Sequence, residues 1–241
     1  MQLLEANGVA KQFSGVIAVK YLDLVVNEGE LLGLFGPNGA GKTTMFNLIA
    51  GAIYPDAGRI YFGGNEITRL PAFRRARLGI GRTFQIVRPF RTMTVLDNLL
   101  AAVPSERTLT NRLPIDPLDL LRKVGLEERA NHLAGTLTLG MLKRLEVARA
   151  LALSPRLLLL DEPLAGLSDR ESRDIIRFIE AIRQTTTIIM VEHNVQLALR
   201  LCDRAVVLDA GELIAEGPPG LIRNDPAVIR AYLGEDRAEG A

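Results

Sequence analysis

Gly36-Pro37-Asn38-Gly39-Ala40-Gly41-Lys42-Thr43 stands between an apolar run, Glu30–Phe35 (ELLGLF), and a helical stretch, Lys42–Ala50. The eight residues fit the pattern G-x-x-x-x-G-K-[ST] without a gap, and the spacing has a chemical reason. Glycines let the backbone curl so that successive N–H groups face phosphate oxygens, and the helix behind adds the positive end of its dipole. Lys42 then reaches the β- and γ-phosphates, and Thr43 offers a hydroxyl to Mg²⁺. A chance glycine-rich turn is the competing reading. The strand before the loop and the helix after it argue for the phosphate cradle.

Such a loop needs a second strand that ends in an acid for the metal. Leu157–Leu160 ends in Asp161-Glu162. Asp161 is expected to hold Mg²⁺ through water, and Glu162 to polarise an attacking water. The alternative is a solvated acidic pair at a strand end. Thr187–Val191 ends in Glu192-His193, where His193 is placed to donate to a γ-phosphate. Ala205–Leu208 ends in Asp209-Ala210-Gly211. Gln85, in Arg82-Thr83-Phe84-Gln85, is a candidate for sensing the metal and the water, although a glutamine in a loop says nothing by itself.

Short apolar runs separated by helical stretches predict buried parallel strands with crossover helices, and the polar residues collect where an open α/β sheet binds its ligand. Leu3–Val9, Val16–Tyr21, Leu22–Val26 and Arg59–Phe62 instead show partial alternation and predict an antiparallel flank. Residues 95–155 turn Leu- and Ala-rich, interrupted by Pro104, Pro114 and Pro117, and predict an inserted helical subdomain. The domain then runs over 1–234, leaving a polar tail, 235–241.

Composition narrows the class. The chain has 241 residues, 48% hydrophobic and 24% charged, which is globular rather than disordered. Its 29 Lys+Arg against 28 Asp+Glu leave a net charge of +1 and no global argument for nucleic acid. The single Cys202 excludes an intramolecular disulfide framework and fits a reducing compartment. No apolar run is long enough to span a bilayer, and the start lacks the pattern of a secretory signal, so any membrane role is expected to be peripheral.

These motifs in this order resemble the nucleotide-binding subunits of ABC transporters over nearly the whole chain. The resemblance implies an α/β P-loop NTPase core with a parallel sheet, an antiparallel β flank and an inserted helical subdomain. It implies ATP and Mg²⁺ as ligands, and Gly36, Pro37, Asn38, Gly39, Ala40, Gly41, Lys42, Thr43 and Thr44 as the nucleotide loop. Thr43, Gln85 and Asp161 become the metal-facing residues; Glu162, His193, Gln85 and Lys42 become the catalytic set. Ala165–Ser168 corresponds to the D-loop. Phe13 falls where the family stacks an aromatic on adenine; a core phenylalanine of the β flank is the alternative.

Two stretches narrow the subgroup. Gly79–Gln85 with Phe90–Leu99, and the ending Val228-Ile229-Arg230-Ala231-Tyr232-Leu233-Gly234-Glu235, look like the branched-chain amino-acid importer ATPases. The lipopolysaccharide-export ATPases share that ending. Residues 103–118 look shorter than the importer counterpart. Partners implied are integral membrane permease subunits on the cytoplasmic face, a second ATPase subunit and a substrate-binding protein; nucleic acid is not among them.

The signature departs from the family. Where Leu-Ser-Gly-Gly-Gln is expected, the chain has Leu137-Thr138-Leu139-Gly140-Met141, followed by a preserved helix, Lys143–Ala150. In the family this motif acts on the partner's ATP. Thr138 keeps a hydroxyl. Leu139 adds a branched side chain where backbone must approach phosphate, and Met141 removes an amide. An intact phosphate loop beside an impaired signature favours a heterodimer over a homodimer.

Seven arginines (69, 74, 75, 77, 82, 88, 91) without an acid lie between 69 and 91. The plain reading is a solvated face. By resemblance Ile86, Val87, Pro89 and Phe90 face a short helix of the permease, with arginines at the rim. A soluble ABC ATPase acting on DNA or ribosomes lacks room here for its usual insertions. A small-molecule kinase would not place a glutamate directly after Asp161.

Overall fold

The computed structural model describes residues 1–103 and 116–235. Its strands are β1 (Gln2–Phe13), β2 (Val16–Asn27), β3 (Leu31–Phe35), β4 (Ala57–Phe62), β5 (Asn65–Glu66), β6 (Ile80–Arg82), β7 (Leu157–Asp161), β8 (Thr187–Val191), β9 (Arg204–Asp209) and β10 (Glu212–Gly217). Its helices are α1 (Lys42–Ala50), α2 (Ala72–Leu78), α3 (Val95–Leu100), α4 (Pro117–Lys123), α5 (Leu139–Leu151), α6 (Asp169–Ile182), α7 (Val195–Ala198), α8 (Pro219–Ile222) and α9 (Pro226–Glu235). They form two compact units, residues 1–72 with 187–241 and residues 73–186.

The first unit holds two sheets. In one, β1 pairs antiparallel with both β2 and β4, and β4 with β5. The two expected strands Val16–Tyr21 and Leu22–Val26 are one strand with an irregularity. Tyr21 takes φ 45°, and the pairing slips between Val9↔Leu22 and Lys11↔Val19. An extra residue there bends the strand without ending it. In the other sheet β3 lies between β8 and β9, parallel to both, and β10 pairs antiparallel with β9. All five residues of β3 and of β8 are buried, so their alternation vanishes and they read as continuous apolar runs.

The second unit carries the parallel pair β6 and β7, with Ile80↔Leu157 and Arg82↔Leu159 in register. The sequence did not announce β6: three residues containing a glycine have too little pattern to read. Its helices include α3, capped by Thr94, whose hydroxyl accepts from the Asp97 N–H at 3.0 Å. In α6 a capping box joins Ser168 and Glu171, satisfying backbone donors that the helix leaves open. Helix α4 starts at Asp116 and Pro117, so Pro117 opens a helix instead of interrupting one. Pro104, Pro114 and most of 103–118 lie outside the described residues, as does 236–241. Helix α9 continues through Glu235, one residue into the stretch expected as a tail.

Candidate nucleotide site

In the first unit the loop Gly36–Thr43 leaves the end of β3 and enters α1. Gly36 has φ 143° and Gly41 φ 103°, a region that L side chains rarely adopt. A Cβ on Gly36 would lie 2.1 Å from the Leu208 carbonyl oxygen, and one on Gly41 2.4 Å from that of Ala18. Both positions demand glycine for conformation and for space. The Gly211 N–H donates to the Ala40 carbonyl at 3.2 Å, closing the β9–β10 turn against the loop. Lys42 is buried, and its ammonium donates to the carbonyls of Gly36 (2.6 Å) and Pro37 (2.7 Å). Asn38, Gly39 and Thr43 are exposed; Thr44 is half-buried.

Helix α1 is capped by Gly41 with no side-chain hydrogen bond and has no acid in its first turn. Its opening N–H groups therefore meet no competing carboxylate or hydroxyl from the cap, which is what an anion site requires. That arrangement fits a phosphate.

Sheet register puts His193 at the same edge. Leu34 pairs with Val191, so Gly36 and His193 each follow the paired positions by two residues. The imidazole-bearing residue is exposed. Phe13, at the end of β1, is 44% exposed beneath the Lys11 ammonium, 5.3 Å from the ring centroid. It is not a core residue, which removes that alternative.

The second unit assembles the acids. Asp161, at the end of β7, pairs with Arg82 at 3.1 Å, and its N–H donates to the Thr83 hydroxyl at 3.0 Å. Glu162 takes φ 49°, a left-handed conformation that costs a non-glycine residue roughly 1–2 kcal/mol. The Lys143 ammonium donates to the Glu162 carbonyl at 2.7 Å, and the Gln85 amide to its carboxylate at 3.0 Å. Gln85 and Glu162, far apart in sequence, thus meet side chain to side chain.

Sequence reading missed the residues that hold this arrangement. Glu146, buried on α5, accepts from the Phe84 N–H, and burial pushes its carboxyl up to about 7 against the opposing pull of that N–H, Arg149 and Lys143. Arg149 donates to the Arg88 carbonyl at 3.1 Å and lies over the Phe90 ring. Asn98, buried on α3, bonds the backbone of Phe90 from both sides. The one available signal was a charged residue inside the apolar face of Leu145-Glu146-Val147-Ala148. The basic stretch is also not one solvated face. Arg75 is fully buried and Arg82 is spent on Asp161, while Phe84, Ile86 and Phe90 are exposed.

At the N-terminus of α5 the Thr138 hydroxyl accepts from the Met141 N–H at 3.3 Å. Glu171 stands over Gly140, where a Cβ would lie 2.5 Å from its carboxylate oxygen. Its carboxyl is held below the usual range by the Ser168 hydroxyl first, then by the N–H groups of Ser168 and, more weakly, Gly140. Leu139 is exposed.

Residues 19–165 match the family model described as ABC transporter. The chain belongs to the ABC transporter family. A second family model, Branched-chain amino acid ATP-binding cassette transporter, matches residues 212–238. The high-affinity branched-chain amino acid transport ATP-binding proteins BraF of Pseudomonas aeruginosa and LivG of Escherichia coli are each 40% identical to it, over 97% of this chain and 98% of theirs. The lipopolysaccharide export system ATP-binding protein LptB of Escherichia coli is also 40% identical, over 98% and 99%. Among solved structures, the ADP conformation of MJ1267, an ATP-binding cassette of an ABC transporter, superposes with a TM-score of 0.86 at 31% identity, covering 97% of this chain and 99% of that one. Membership makes this chain an ATP-binding, ATP-hydrolysing transporter subunit with the ABC ATPase fold. Among the described residues no helix is long and apolar enough to cross a membrane.

Proposed function

We propose that this chain drives import of the branched-chain amino-acid type, as one half of an ATPase heterodimer seated on membrane permease subunits at the cytoplasmic face. The subgroup rests on the C-terminal match over 212–238 and on the relatives named above. The equally similar export ATPase supports the second reading, a homodimeric export machine.

In this reading the Gly36–Thr44 backbone and α1 hold the phosphates, and Lys42 turns its ammonium from loop carbonyls to the γ-phosphate. Thr43 would offer a hydroxyl, and Asp161 and the Gln85 amide oxygen would offer a carboxylate and an amide, hard oxygens of the kind Mg²⁺ takes. When bound, Mg²⁺ neutralises charge on the β- and γ-phosphates. Glu162 orients the attacking water, Gln85 fixes its carboxylate, and His193 donates to the γ-phosphate. Phe13 offers an exposed face to the adenine. Catalysis is then positioning and charge stabilisation. The exposed Ile86 and Phe90 meet the permease, with Val87 and Pro89 beside them, and a substrate-binding protein delivers the cargo.

The observation offered for the heterodimer is the α5 N-terminus: the Thr138 hydroxyl takes the Met141 N–H and the Glu171 carboxylate stands over Gly140, beside the exposed Leu139. The test is the solution mass of Glu162→Gln with Mg-ATP, by light scattering. A monomer with ATP bound is expected. A doubled mass would replace the heterodimer with the homodimeric reading.

A further inference from the structure

The C-terminal helix ends up on the nucleotide loop. Tyr232, in the final turns of α9, accepts a hydrogen bond at 2.7 Å on its hydroxyl from the backbone N–H of Gly36, the first residue of the loop. Both residues belong to the first unit. Gly36 is buried, so its N–H has to be satisfied from within the protein. The loop offers few ways to do so. Gly36 lies against the Leu208 carbonyl, and its own carbonyl already accepts from the Lys42 ammonium at 2.6 Å. The residue is thereby held at both polar ends, by Lys42 from inside the loop and by Tyr232 from outside.

Helix α9 is itself anchored. The Asp225 carboxylate accepts from the N–H groups of Ala227 (2.7 Å) and Val228 (3.3 Å), and Val228 is buried. That cap starts the helix at a defined residue, and its course from there brings position 232 to the loop. Removal of the hydroxyl alone leaves a buried donor without this acceptor, a loss that falls on the loop and not on the helix.

We propose that Tyr232 is a positioning residue for nucleotide binding: its hydroxyl fixes the Gly36 end of the phosphate loop, so that α9 acts as a strut that sets nucleotide affinity. This rests on the Gly36–Thr44 loop being the phosphate cradle. A strut of this kind pre-orders the donors before nucleotide arrives, which lowers the entropic cost of binding. Tyr232 touches no reacting atom, so its effect belongs to binding and not to the chemical step.

The test is Tyr232→Phe in the full chain, which keeps the ring and removes only the hydroxyl. Affinity for a fluorescent ATP analogue and amide hydrogen exchange at Gly36 and at Leu48 of α1 are compared with wild type in the chain itself, and KM and kcat for ATP in the transporter assembled with its partner subunits. The expected result is about fivefold weaker binding and a similarly raised KM, the size of one lost hydrogen bond, with kcat unchanged. Exchange quickens at Gly36 and stays as it was at Leu48. Wild-type affinity and wild-type exchange at Gly36 in Tyr232→Phe, with binding lost in Lys42→Ala, would overturn the strut and leave the phosphate loop standing. If Lys42→Ala also binds as wild type, the loop assignment falls, and the strut's claim on nucleotide falls with it.

Discussion

Two helices of this chain begin at the motifs on which the proposed function rests, and they begin differently. Helix α1 starts at Gly41, left-handed, without a side-chain cap and without an acid in its first turn. Helix α5 starts at Thr138, whose hydroxyl takes the Met141 N–H, while the Glu171 carboxylate stands over Gly140. A helix N-terminus either keeps its donors for a ligand or satisfies them internally, and internal satisfaction is the more stable choice for the free protein. The first helix has kept the cost of an uncapped start; the second is capped by its own Thr138.

The largest effect that can break this contrast is at Lys42. Lys42→Ala is expected to lower ATP turnover by about 100-fold or more, the scale of losing a preorganised charge at the transferring phosphoryl group. Turnover equal to wild type in a steady-state phosphate assay would remove the loop from catalysis. The signature side is sharpened by adding Leu139→Gly to Glu162→Gln. Relief of the branched side chain is expected to raise Mg-ATP-dependent self-association about tenfold, read by sedimentation. Association no stronger than in Glu162→Gln alone would place the block in the Thr138–Glu171 cap.

A pH test follows from Glu146, which joins α5 to the Gln85 segment by accepting from the Phe84 N–H. Its folded carboxyl titrates near 7 against an ordinary 4.5, so between those values the folded state holds a proton that the unfolded state has released. Stability therefore falls as pH rises from about 4.5 to about 7. Urea midpoints across that window are expected to flatten in Glu146→Gln; an unaltered slope would show that another group governs it. Smallest is Thr138→Ala, expected to cost about 1 kcal/mol of stability as a lost cap. A cost near zero would mean that Glu171 alone satisfies the start of α5.

Much of the fold was legible because parallel strands buried on both faces leave runs of Leu, Ile and Val: Thr187–Val191 has the boundaries read from sequence, and β7 and β9 extend theirs by a residue at one or both ends. Helix α1 also keeps the boundaries read for it, Lys42–Ala50, because it follows directly on the glycine-rich loop. β6 was not legible, since Ile80-Gly81-Arg82 gains its strand identity from pairing with Leu157–Leu159. Tyr21 looked like a strand boundary because bulges have no composition of their own. The loop residues and the acids after β7 were legible because a motif of fixed spacing, and an apolar run that ends in charge, are carried in linear order. Glu146, Lys143 and Arg82 were not, because each acts by meeting a residue distant in sequence. Arg75 shows the same limit from the other side: its neighbours made it look like part of a solvated face, and packing buried it.

By itself, then, the sequence determined the G-x-x-x-x-G-K-[ST] loop, the acidic strand end, the departure at Leu139 and Met141, and through them the family. Each of these depends on residue type and local spacing, which the chain carries in linear order. Tertiary structure alone decided that Gln85 reaches Glu162, that Lys143 holds the strained Glu162 backbone, and that Tyr232 closes on Gly36 across nearly the whole chain. Those pairings depend on where strands and helices end in space, and a buried polar group takes whichever partner the packing brings within reach.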